Sequence, residues 1–176
     1  MSDQPDLRYP IGKFSAPAAS TPAVRAGQIE TLRMLPERLC IAVAGLNDAQ
    51  LDTPYRDGGW TVRQVVHHFA DSHANSYVRF KLALTEDWPT IKPYDEAAWA
   101  RLSDSRMPVA PSIEFVDGLH ARLVALLESM SETDFQRGFN HPERGRVTLA
   151  YNLAMYDWHS RHHVAHITSL RERMGW

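Results

Sequence analysis

Residues 61–85 read TVRQVVHHFADSHANSYVRFKLALT. Apolar or aromatic residues recur there at 62, 65, 66, 69, 77, 80 and 84. That is helical spacing, held for more than six turns at about 3.6 residues each. Thr61 and Gln64 fit a capping box, in which the hydroxyl and the amide each satisfy a backbone N–H left free at a helix start. The spacing therefore predicts a long helix beginning at Thr61, and this helix carries His67, His68 and His73.

Helical patterns also lie on either side of it. Upstream, Thr21-Pro22 suits a helix start, with proline at an early position. Ile29, Leu32, Leu35, Leu39, Ala42, Val43 and Leu46 supply an apolar stripe. Pro36 lies inside that stripe and is expected to kink or break the helix. Cys40 sits beside it and is expected as a small core residue. Residues 1–20 are rich in Pro, Ser and Ala and read as an extended N-terminal arm. Downstream, Thr85–Pro111 is long and irregular, with prolines at 89, 93, 108 and 111 and room for one short helix over Tyr94–Leu102. Loops of this length in a compact domain often serve as lids or binding loops. A third helix is expected after Pro111, with Ser112 as its N-cap. A fourth is expected from Thr148 to Met174, where Gly175 supplies a stop. Four long helices with almost no strand signal predict an all-α four-helix bundle. A repeated pattern, NDAQL before the second helix and SETDF before the fourth, hints at a two-fold arrangement of helix pairs.

Composition narrows the functions open to such a bundle. The chain has 176 residues and 20.0 kDa, a length that suits one domain over 1–176. Apolar residues make up 44% and charged residues 23%, which excludes a disordered chain. The net charge of -2 gives no electrostatic footprint for nucleic acid or for an anionic membrane. A single cysteine, Cys40, excludes an intrachain disulfide, and MSDQPDLRYPIGKF lacks the apolar stretch of a signal peptide. A cytoplasmic protein is expected.

Nine histidines stand out. His67, His68 and His73 share the second helix. His159, His162, His163 and His166 share the fourth, at i, i+3, i+4 and i+7, which puts all four on one helix face. Two i,i+4 pairs result, His159/His163 and His162/His166. Such a pair lets two imidazoles converge on one metal ion, and a facing helix can add a third. His163 replaces the glutamate of an HExxH helix, so that built-in base is missing. On the second helix, periodicity puts His73 near the centre of the apolar stripe and His68 and His67 on opposite flanks. It does not separate a ligand from a core histidine bonded to a carbonyl. Asp71, one turn beyond His68, is a candidate for orienting a ligand ring, and Arg161, Arg79 and Asn75 are candidates for lining a pocket. His120 and His141 stand alone and are not expected as ligands.

Five stretches, YPIGKF, LDTPYRDGGWTVRQVVHHFADSH, NSYVRFKLALTE, KPYDEAAW and YDWHSRHHVAHITSLRERMGW, resemble the DinB-like four-helix metalloproteins of the YfiT type. They span nearly the whole chain. The resemblance implies an up-down-down-up bundle with a long crossover, which Thr85–Pro111 fits, and a homodimer. It implies a metal-dependent hydrolase acting on a small molecule through metal-bound water. One divalent ion per subunit, zinc or nickel, would be held by His68, His162 and His166. An alternative implied by the same resemblance is a thiol S-transferase that activates a bacillithiol-like thiol at the metal. A third, of another class, is a non-enzymatic metal-binding stress-response protein. The sequence names no general base and no substrate.

Overall fold

A computed structural model describes residues 6–176. Residues 1–5 of the expected arm lie outside the described residues. Along the chain come α1 (Pro22–Val43), α2 (Asp48–Leu51) and α3 (Val62–Thr85). The crossover holds α4 (Glu96–Trp99) and a 3-10 turn (Ser103–Arg106). Then follow α5 (Ala110–Ser129), α6 (Glu132–Gln136), a hairpin of β1 (Gly138–His141) and β2 (Gly145–Thr148), and α7 (Leu149–Met174). The fold is the expected four-helix bundle, built from α1, α3, α5 and α7.

The helix starts follow local chemistry. Thr21, Thr61 and Thr148 cap α1, α3 and α7, each hydroxyl accepting a backbone N–H in the first turn. Gly175 ends α7 in the left-handed region at φ 69°. The repeat hinted at in the sequence takes physical form. Short helices α2 and α6 each carry a capping box, at Asn47 and Ser131. Each precedes a Thr-capped long helix, α2 through residues 52–61 and α6 through the β1–β2 hairpin. The amide of Val62 donates to the Thr53 carbonyl at 3.2 Å, and that of Leu149 to the Arg137 carbonyl at 2.8 Å.

Helix α1 packs on α5 and α7, and α3 packs on the same two. Helices α1 and α3 thus occupy diagonal corners, as do α5 and α7. Two apolar clusters fill the bundle. One gathers Leu32, Phe80, Leu123, Leu127 and Leu153. The other gathers Leu35, Phe69, Val116, Ile167 and Leu170. His73 on α3, His120 on α5 and His159 on α7 fall between the two along their helices. A buried polar layer of this kind is tolerated in a core when its ring nitrogens find partners.

Several local expectations differ from the structure. Pro36 does not break α1, which runs through to Val43. Cys40 is exposed rather than a core residue. Ser112 does not cap α5, which begins at Ala110 after Val109. Its hydroxyl instead meets His67 Nδ1 at 2.7 Å. Between the third and fourth long helices, where the sequence carries almost no strand signal, residues 138–148 form the hairpin, whose Gly138 pairs with Thr148. A Cβ on Gly138 would lie 2.1 Å from the Val147 carbonyl oxygen and 2.8 Å from the Trp88 ring. Gly138→Ala is therefore expected to destabilise the protein by about 2–4 kcal/mol. Gly118→Ala, in open space within α5, is expected to stabilise it by about 0.5–1 kcal/mol. Chemical denaturation of the two variants checks both signs. Among the described residues, no helix is long and apolar enough to cross a membrane.

Candidate metal centre

Helix α3 presents His68 toward the facing surface of α7. His68 Nε2 lies 3.1 Å from His159 Nε2. His163, one turn further along α7, closes the group, and one donor nitrogen from each of the three lies within 4.8 Å of the others. Ring centroids are separated by 5.2 Å for His68–His159, 4.9 Å for His68–His163 and 4.5 Å for His159–His163. Two imidazole nitrogens on one tetrahedral ion, each about 2.0–2.1 Å from it, stand about 3.3 Å apart. The donor set fits a single divalent ion.

Electrostatics favour the ligating form. Burial pushes His68 down to about 4. It holds His159 and His163 well below the usual imidazole range, with the neighbouring rings adding to the effect. Neutral imidazoles with free lone pairs are the species that bind a metal. His68 is buried, whereas His159 and His163 are half-buried and face two clefts.

The structure does not bring the three expected ligands together. His162 and His166 meet His163 in a second group, with donor atoms again within 4.8 Å, but His68 is not part of it. His166 Nε2 faces the Arg8 carbonyl at 3.2 Å, and its ring stacks on Tyr55 at 3.9 Å. His162 stacks on Trp158 at 4.2 Å, and its buried Nδ1 has no hydrogen-bond partner among the described residues. The N-terminal arm covers this side: Gly12 accepts from the Trp158 indole, and Tyr9 lies against His162.

The other candidates separate as well. His73 is fully buried and lies between His120 and His159. His67 bonds the Met107 carbonyl at 3.0 Å and ties α3 to the crossover. Asp71 turns away from His68 into a small cavity with His67, Asp104 and Ser112. Burial, with Asp104 adding like charge, pushes its carboxyl up to about 6. Asn75 bonds the Asp71 carbonyl, and Arg161 pairs with Asp157. Arg79 does line a pocket, a cavity of 490 Å³ that ends on His159. Tyr94, Glu96, Asn152 and Tyr156 share its wall. The Tyr94 hydroxyl is buried there with no hydrogen-bond partner among the described residues. Sequence reasoning missed the crossover's Tyr94, Glu96 and the hairpin's His141 as lining groups. Only the length of the crossover pointed toward them.

Comparison with known proteins agrees with this architecture. The profile described as the DinB superfamily matches residues 31–167. The chain is 55% identical over 171 residues to a "Putative metal-dependent hydrolase" of Bacillus mycoides (strain KBAB4), covering 97% of this chain and 99% of that one. A protein of the same description from Bacillus cereus (strain B4264) is also 55% identical over the same spans. Among solved structures, YfiT from Bacillus subtilis matches with a TM-score of 0.94 and 50% identity, over 97% of this chain and 99% of that chain. It is described as "a probable metal-dependent hydrolase with an unusual four-helix bundle topology".

Proposed function

Because the chain belongs to the DinB superfamily, we propose that it is a metal-dependent hydrolase of small molecules whose ion is held by His68, His159 and His163. The single observation that carries this reading is the convergence of those three neutral rings from two helices. Three imidazoles without thiolate or carboxylate suit zinc or nickel, one ion per subunit. When bound, such an ion supplies Lewis acidity to water or to a substrate carbonyl in an open position.

The chain's own residues shape what reaches that position. The cavity ending on His159 has room and polar lining for one small polar molecule. Arg79, which forms no ion pair among the described residues, and the unpartnered Tyr94 hydroxyl offer donors for its polar groups. Tyr156 donates to the Ser72 carbonyl at 3.0 Å and so keeps the Ser72 hydroxyl, 3.5 Å from His159 Nε2, at the inner end of the cavity. Glu96, Arg144 and His141 line the outer part, giving both signs of charge. A homodimer, as the resemblance implies, and a cytoplasmic setting, as the single cysteine suggests, complete the reading.

Zinc- or nickel-loaded, untagged protein is expected to hydrolyse members of a panel of small esters and amides. Chelation should abolish turnover and restored metal should recover it. Conjugation of a low-molecular-weight thiol to an electrophile, with no hydrolysis, would overturn the hydrolase reading in favour of a transferase.

A further inference from the structure

We infer that two imidazole chains, each ending on a backbone carbonyl, fix the tautomers of the two α7 ligands, so that His120, His73 and His166 are positioning residues for the metal. This rests on the reading of His68, His159 and His163 as the metal trio. The first chain begins at Pro36. Proline has no N–H, so the Leu32 carbonyl four residues earlier lacks its helical donor. His120 Nδ1 approaches that carbonyl at 2.6 Å.

A carbonyl only accepts, so His120 Nδ1 carries the proton and donates it. In the neutral ring, His120 Nε2 is then an acceptor, and it lies 2.9 Å from His73 Nδ1. His73 Nδ1 must therefore donate, which leaves His73 Nε2 as an acceptor 3.3 Å from His159 Nδ1. His159 Nδ1 donates in turn. The lone pair of His159 is thereby placed on Nε2, the atom that faces His68.

The second chain is shorter and follows the same logic. The Arg8 carbonyl accepts from His166 Nε2 at 3.2 Å. His166 Nδ1 becomes the acceptor and lies 3.2 Å from His163 Nδ1. His163 donates from Nδ1 and keeps its lone pair on Nε2. Both α7 ligands are thus offered to the ion through the same nitrogen, with the ring plane fixed by the bond behind it. A hydrogen bond of this kind on a metal-bound imidazole also raises its basicity as a ligand. The chains give three histidines a role that neither ligation nor core filling explains.

The test reads tautomers and affinity rather than turnover. Long-range proton–nitrogen NMR on protein labelled at histidine nitrogens, loaded with zinc, should show His159 and His163 protonated at Nδ1 and metal-bound at Nε2. Zinc competition against a chromophoric chelator should give His73→Phe and His166→Phe affinities about 10–100-fold below wild type, with helical circular dichroism unchanged. Zinc on Nδ1 of either ring, or both variants within about threefold of wild type, would overturn the chains. If His73→Phe fails to fold, His166→Phe and the wild-type spectrum still decide. Failure of the trio itself reads differently: His159→Ala would then bind zinc as wild type does.

Discussion

His159→Ala and His163→Ala are each expected to lower zinc affinity at least 100-fold, while His162→Ala leaves it within about threefold. A three-imidazole site owes on the order of 10 kcal/mol or more to its ligands together, so loss of one removes several kcal/mol. His159 and His163 both lie in the group that contains His68. His162 lies outside it, its ring packed between Trp158 and Tyr9. His68→Ala should match the first pair. Metal content by mass spectrometry and chelator competition on untagged protein check the contrast. Loss of zinc from His162→Ala with retention in His159→Ala would return the assignment to the other i,i+4 pair.

The second large effect is acid sensitivity without metal. Unfolded histidines titrate near 6.5, whereas burial holds folded His68 at about 4. Between those values the unfolded chain takes up a proton that the fold refuses. Stability contributed by the neutral ring is therefore complete above about pH 6.5 and is lost as pH falls toward 4. His68 alone accounts for about 3 kcal/mol across that window. His159, His163 and His73 are shifted in the same direction, also chiefly by burial, and add to it. Chelator-treated protein should show a melting temperature that drops steeply over this range, and zinc should move the drop to lower pH. A flat profile from pH 7 to 4.5 would contradict the buried neutral layer.

Much of this fold was legible because its helices announce their ends. Thr21, Thr61, Thr148 and Gly175 act at the positions their chemistry predicts. The hairpin was not legible, since GFNH and GRVT are too short to carry a period. Pro36 was misleading because its cost is met in tertiary structure: another helix donates to the carbonyl it frees.

The histidines divide in the same way. Among the buried residues of α7, which also include His162 and His166, the stripe that meets the two apolar clusters is Leu149, Leu153, Tyr156, Ile167 and Leu170, with Ser160 between. At about 100° per residue, His163 lies about 40° from its centre, His159 about 80°, His166 about 100° and His162 about 140°. A full helical wheel would thus have favoured His159/His163 over the pair that the resemblance selected. On α3 the same wheel favours His73 and puts His68 on the flank. There, only the family pattern pointed to His68. Periodicity measures burial against the mean core, and a metal site sits where one helix faces a particular neighbour.

The diagonal placement of successive long helices has a kinetic consequence. In an ordinary up-down bundle, neighbours in sequence zip together as hairpins. Here the long helices α1 and α3 pack chiefly on α5 and α7, across the crossover. Neither half pairs its own two long helices, so docking of the long helices closes a long loop. The chain should fold more slowly than its helix content suggests. Two fragments cut within the crossover should each remain largely unstructured until mixed, when the returning affinity for a cation would report their reunion.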